Sequence, residues 1–260
     1  MNKSALRRKY KKPAVLEAIF EAKFTFESFG IATPGQIYEK IKNNYPNKRD
    51  IRHVPIFLES SGNTEQMPFL VQAPLIQARK EDDSELLQVG PGIAVANRLK
   101  YTSWEDFIPG IRTILDAYIC SAKPKSVTRI GTRYINCFLL PQGTIDIKDY
   151  FNLDVQIPPT LFGLQQFDLT FVNKLKNVSD QSGQDFDIRI RFFTDALKPD
   201  EVGNKLILDL DCYVNKDFKP DIEEITNLAT QAHDTLEIVF ENIITDKARD
   251  IMGVEECTAH

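Results

Sequence analysis

With 260 residues, 42% of them hydrophobic and 27% charged, the chain has the composition of a globular protein and not of a disordered one. That length suits one large domain or two small ones packed together, and a core of this size needs no disulfide staples. A net charge of −5 favours solubility and excludes a bulk attraction for nucleic acid.

The charge is uneven. Lys3, Arg7, Arg8, Lys9, Lys11 and Lys12 all precede the first acid, Glu17. Residues 1–12 therefore read as a basic, flexible tail, the one place where phosphates could be touched. No apolar run reaches the length of a membrane span, and no apolar signal core follows the basic start, so a cytoplasmic protein that does not meet the membrane is expected. The four cysteines, Cys120, Cys137, Cys212 and Cys257, are scattered and form no CxxC, which points to reduced thiols and away from a zinc site.

In chain order, Leu16–Phe26 alternates apolar and polar residues and predicts a strand with one wet face. Thr33-Pro34 opens a short helix through Ile41, with threonine at the N-cap and proline at the first helical position. Three β-rich stretches follow, near Ile51–Leu58, Phe69–Lys80 and Leu86–Leu99. Gly90-Pro91-Gly92 lies inside the last of these and lacks the Lys-Ser/Thr of a phosphate loop, so it reads as a bulge or tight bend. Ser103–Ala122 predicts a long helix capped by Ser103, with Glu105 and Asp106 at the positive end of its dipole and Pro109 marking a kink or the true start.

After Lys123-Pro124-Lys125 a similar order is expected. It has a strand over Val127–Leu140, a short helix over Ile147–Asn152, and strands near Phe162–Leu175, Phe186–Phe193 and Leu206–Val214. A final helix is capped by Asp221 with Glu224 three residues on, and its apolar rhythm runs to Ala248. The expected fold is α+β: two tandem β-α-β-β-β-α units, 13–124 and 125–260, packed as one compact domain. Each unit would have its own antiparallel sheet covered on one face by its long helix, leaving an open face for a ligand or a subunit.

Several short segments carry a family likeness: Tyr10 to Pro13 with Glu17-Ala18, Gln88-Val89-Gly90, Asn97-Arg98-Leu99, and Tyr101 with Trp104 to Phe107. Arg129-Ile130-Gly131-Thr132-Arg133-Tyr134-Ile135-Asn136, Ala232-His233-Asp234, Phe240-Glu241 and Ile244-Thr245-Asp246-Lys247 complete the pattern. Together they resemble a sporadically distributed, uncharacterised prokaryotic family of about this length, almost end to end. The resemblance implies no catalytic residues. Patchy distribution implies genes that travel, as phage-defence and toxin–antitoxin genes do.

The candidate site residues are few. His233 shares a helical face with Ala229, Ala232, Leu236 and Phe240, with Glu237 at i+4, but no nucleophile motif accompanies it; a buried, hydrogen-bonded histidine is the favoured reading. Asp209 and Asp211 point to the same side of one strand and could hold a metal. Arg129 and Arg133 likewise share a face, opposite Asn136, so cross-strand ion pairs with the two aspartates are favoured if those strands are neighbours. Tyr101 and Trp104, with Phe107, could stack on bases but more often anchor a helix. Arg129, Arg133, Asn136, Tyr101 and Trp104 are thus the binding candidates, and Asp209, Asp211 and His233 the weaker catalytic ones.

No cofactor is expected. The leading functional expectation is a non-catalytic interaction or regulatory subunit whose protein partner is encoded nearby, with a homo-oligomer as a further option. A small-ligand module with a sheet–helix pocket comes second, and a metal-dependent nuclease or hydrolase using Asp209 and Asp211 third.

Overall fold

A computed structural model describes residues 8–51, 75–143, 146–153, 167–175 and 184–255. The strands are β1 (Val15–Thr25), β2 (Asn47–Asp50), β3 (Ile76–Arg79), β4 (Glu85–Gly90), β5 (Ile93–Arg98), β6 (Ser126–Leu140), β7 (Asp168–Leu175), β8 (Phe186–Thr194) and β9 (Asn204–Phe218). The helices are α1 (Thr33–Ile41), α2 (Trp104–Ala122), α3 (Ile222–Ile243) and α4 (Asp246–Met252), with a 3-10 turn at Ile147–Asp149. The strand and loop expectations over 52–74, the early part of the Phe162–Leu175 strand, and His53, Cys257 and His260 lie outside the described residues. Among the described residues, no helix is long and apolar enough to cross a membrane.

The expectation of two tandem units, each with its own sheet, is overturned. Among the described residues, all nine strands belong to a single antiparallel sheet, in the order β2-β3-β4-β5-β1-β6-β9-β8-β7. The physical reason lies in β1 and β6. They pair with each other and each also has a second neighbour, β5 for β1 and β9 for β6, so the edges that would have ended two separate sheets are joined into one. By contact density the chain forms two compact units. One comprises Ile19–Gly131 and Asn215–Ala229, the other Met1–Ala18, Thr132–Val214 and Thr230–His260. These units divide β1, β6, β9 and α3 between them instead of separating at Lys125.

In the unit built around Ile19–Gly131, Phe20, Ala22 and Phe24 of β1 are buried, as the alternation requires. The Leu86–Leu99 stretch is a hairpin and not one strand. Gly90 pairs with Ile93, and Gly92, at φ +71°, takes the left-handed position of a tight turn that Pro91 enters. Helix α2 begins as expected, with Ser103 Oγ accepting the Asp106 amide at 3.2 Å. It continues through Pro109 and ends at Lys123 in the left-handed conformation, φ +47°. The α1 start differs from expectation. Thr33 lies inside the helix, Ala32 is the N-cap residue, and no side chain caps it.

In the unit built around Thr132–Val214, Phe138 and Phe151 meet edge-to-face with centroids 5.0 Å apart, and Phe151 meets Phe192 at 4.7 Å. The predicted short helix at Ile147–Asn152 is the 3-10 turn, followed by a bridge from Phe151 to Ile244. The long final helix is two helices. Thr245, in extended conformation, breaks the rhythm and caps α4 through the Ala248 amide. Asp221 caps the start of α3, accepting the Glu224 amide at 2.9 Å. Of the basic stretch, Lys11 and Lys12 donate their amides to Gly253 and Met252 at 2.8 and 2.9 Å, and Tyr10 bridges to Val254. Arg8–Lys12 are thereby tied to the chain's other end.

Candidate functional site

The unit that holds Arg133 carries an ionic lattice on one face of β6, β9, β8 and β7. Antiparallel register sets Arg189 opposite Asp211 and Arg191 opposite Asp209. Asp168, Thr170 and Val172 of β7 share that face, because Thr170 pairs with Arg191 and Val172 with Arg189. Arg133 Nε and Nη2 donate to the two carboxylate oxygens of Asp209 at 2.7 and 2.6 Å, a bidentate fork. That bond is the main cause holding the Arg133 guanidinium above its ordinary pKa. Arg191 donates to Asp168, at 2.9 Å through Nε, and its guanidinium lies 4.4 Å from the Phe193 ring centroid. Arg189 stands 3.9 Å from Asp211.

This lattice accounts for the paired aspartates. Asp209 and Asp211 are buried, and each has an arginine from a neighbouring strand. Among the described residues they belong to no group of three metal-ligating side chains. Arg129 lies in the other unit and pairs with Glu21 at 2.9 Å. Asn136 is buried and donates through Nδ2 to the Leu208 carbonyl at 3.1 Å, stitching β6 to β9. Trp104 is buried edge-on against Phe107, with centroids 5.8 Å apart, and so anchors α2. Tyr101 is half-buried just before that helix. Of the five binding candidates, Tyr101, Trp104 and Arg129 belong to one unit and Arg133 and Asn136 to the other.

The outer edge of the lattice is the more informative feature. Strand β7 ends the sheet order and is exposed at nearly every residue, Val172 at 62% and Phe171 at 41%. The Thr194 amide donates to the Phe167 carbonyl at 3.1 Å, so the 167–194 pair is hydrogen-bonded. Alternation along an antiparallel ladder then turns the backbone groups of Leu169, Phe171 and Asn173 toward β8. Those of Asp168, Thr170, Val172 and Lys174 turn outward. The Lys174 amide indeed donates to its neighbour's side chain, Asn173 Oδ1, at 2.8 Å. Among the described residues, no strand lies beyond these outward groups.

A third feature lies on α3. His233 is buried, with Nδ1 2.8 Å from the Tyr134 hydroxyl and Nε2 3.5 Å from Glu237 Oε1. Asp234 joins them, so that one ligand atom from each of His233, Asp234 and Glu237 lies within 4.8 Å of the others. The i, i+4 spacing of His233 and Glu237 is visible in the sequence. Tyr134, 99 residues away, is not.

No family model matches this chain, and no curated protein matches it.

Proposed function

We propose that this chain is a non-catalytic interaction subunit of a prokaryotic accessory system, such as a phage-defence or toxin–antitoxin cassette, and that it acts by binding a partner protein. The observation that carries the reading is β7. Among the described residues it is an eight-residue edge strand, exposed on both faces, with outward-facing backbone donors and acceptors at Thr170 and Val172. Natural proteins usually blunt such an edge, and one left open accepts an extended segment of another chain as an added strand. An added strand would meet Leu169 and Phe171 on one face and Asp168, Thr170 and Val172 on the other. The family resemblance supplies the cassette setting. The self-neutralised lattice behind β7 leaves the carboxylates engaged with arginines, which supports a binding role over hydrolysis at Asp209 and Asp211.

The test is co-expression with the proteins encoded beside it, followed by size-exclusion chromatography and an affinity measurement. Val172→Pro removes one outward amide without touching a β7–β8 hydrogen bond, so the variant should keep its thermal midpoint and lose the partner by tenfold or more in Kd, on the order of 1.4 kcal/mol. A complex that forms equally well with the proline variant rules out strand addition at β7. A monomer that binds none of its neighbours removes the subunit reading altogether.

A further inference from the structure

We infer that His233, Asp234 and Glu237 form a binding site for one divalent first-row transition ion, of the class represented by Zn²⁺. The three donor atoms lie within 4.8 Å of one another on a single stretch of α3, so a helix of fixed geometry sets their spacing. His233 and Glu237 stand at i and i+4 and face the same way, while Asp234 reaches in from the adjoining position. The imidazole is oriented from behind. Its Nδ1 lies 2.8 Å from the Tyr134 hydroxyl on β6, and its Nε2 is the nitrogen turned toward the Glu237 carboxylate.

A ring fixed by a hydrogen bond at one nitrogen and facing carboxylates with the other is how metal-binding histidines are held. Burial of His233 adds to this, because the ring has little freedom to turn away. One imidazole and two carboxylates offer nitrogen and oxygen donors and no thiolate. That set suits Zn²⁺, Co²⁺ or Mn²⁺ rather than a soft monovalent ion, and three protein donors leave positions for water.

Charge points the same way. Asp234 and Glu237 are i, i+3 neighbours on one side of the helix, so a single divalent cation between them meets both negative charges. Asp209 and Asp211, the pair that the sequence singles out for metal, belong to no such three-ligand group among the described residues and pair with arginines instead. The inference does not depend on partner binding at β7.

The experiment uses the untagged full chain, stripped with chelator, and titrates ZnCl₂, MnCl₂ and MgCl₂ separately by calorimetry, with CoCl₂ absorption as a spectroscopic readout. One Zn²⁺ per chain is expected, with Mg²⁺ binding at least about a hundredfold more weakly because it prefers an all-oxygen octahedron. Zn²⁺ should raise the thermal midpoint of the wild type and not that of Glu237→Gln. Glu237→Gln and Asp234→Asn alter partly exposed carboxylates and spare the core, so they test the site even if His233→Ala does not fold. Each should weaken Zn²⁺ at least tenfold. Tyr134→Phe, which only removes the hydrogen bond behind the ring, should weaken it by about 10–100-fold and shift the Co²⁺ spectrum. No Zn²⁺ binding up to about millimolar, or binding that all three variants leave unchanged, overturns the assignment.

Discussion

Glu85 and Glu241 are both buried carboxylates that accept a tyrosine hydroxyl and are flanked by two cations, yet they join very different stretches of chain. Glu85, at 0% exposure, sits on β4 opposite Arg98 of β5. The Tyr45 hydroxyl donates to it, Arg98 Nη1 donates at 2.8 Å, and Lys80 Nζ stands 3.6 Å away. All of these groups come from one contiguous region. Glu241, on α3, accepts from Tyr10 at 2.5 Å, from Arg8 at 2.8 Å and from Arg249 of α4 at 3.2 Å. It gathers Arg8 and Tyr10, 233 and 231 residues away in sequence, with α4.

Taking a carboxylate out of water costs several kcal/mol unless its lone pairs are met by well-placed donors, and both sites supply them. The difference lies in what each site would release. Losing Glu85 strands Arg98 in the interior of a folded unit, whereas loosening the Glu241 site frees segments that border solvent.

The largest effect should therefore come from Glu85→Ala, with a loss of about 3–5 kcal/mol in denaturant-unfolding stability, the scale of breaking a buried ion pair from one side. A loss below about 1 kcal/mol would break the comparison, because Glu85 would then behave like a surface charge. Gly110 of α2 sharpens it. A Cβ at Gly110 would clash with Glu85 Oε1, and that carboxylate is pinned by Tyr45 and Arg98. Gly110→Ala should cost about 1–3 kcal/mol as overpacking. In the Glu85→Ala background the same change should become neutral or stabilising, since alanine is the better helix former by about 1 kcal/mol. A double-mutant cycle reads this reversal of sign directly.

Local chemistry in this molecule is legible from sequence, whereas pairing between distant segments is not. The alternation of Phe20, Ala22 and Phe24, the Ser103 cap and the Asp221 cap each depend on neighbours a few residues away, and each is found in the structure. Whether β1 and β6 belong to two sheets or one depends on which strand lies beside each, and no periodicity carries that. Two short punctuation signals override the pattern around them. Pro91-Gly92 reverses the chain where a bend within one strand is expected, and Thr245-Asp246 restarts a helix where the apolar rhythm of Ile243, Ile244 and Ala248 reads straight through.

The candidate sites divide in the same way. The shared side of Asp209 and Asp211 follows from a period of two, as does the conditional pairing with Arg133. The partners Arg189, Tyr134 and Glu21 come from other strands and leave no linear trace. Glu85 and Glu241 look in the sequence like any surface acid.

The smaller stability effect belongs to the Glu241 site, and pH makes it measurable. Burial first, and then the hydrogen bond to Glu241, push the Tyr10 hydroxyl above the usual tyrosine range. Burial and Glu85 do the same for Tyr45, and burial for Tyr118, whose hydroxyl donates to the Gly90 carbonyl at 2.9 Å. A group whose pKa is raised by folding holds its proton more tightly in the native state. Its contribution is complete below the unfolded value of about 10 and is lost as pH climbs toward the folded value, where the unfolded chain binds fewer protons. Stability should hold up to about pH 9 and then fall steeply through pH 10–11.

Tyr10→Phe should cost about 1 kcal/mol at neutral pH, the worth of one hydrogen bond at a half-exposed site, and should speed hydrogen exchange at the Lys11 and Lys12 amides. It should also flatten the alkaline slope, because one of the shifted hydroxyls is removed. Urea midpoints measured between pH 8 and 11 would show this. A slope equal to the wild type's, together with unchanged exchange at Lys11 and Lys12, would mean that Glu241 does not hold the Tyr10 segment. The contrast with Glu85 would then rest on burial alone.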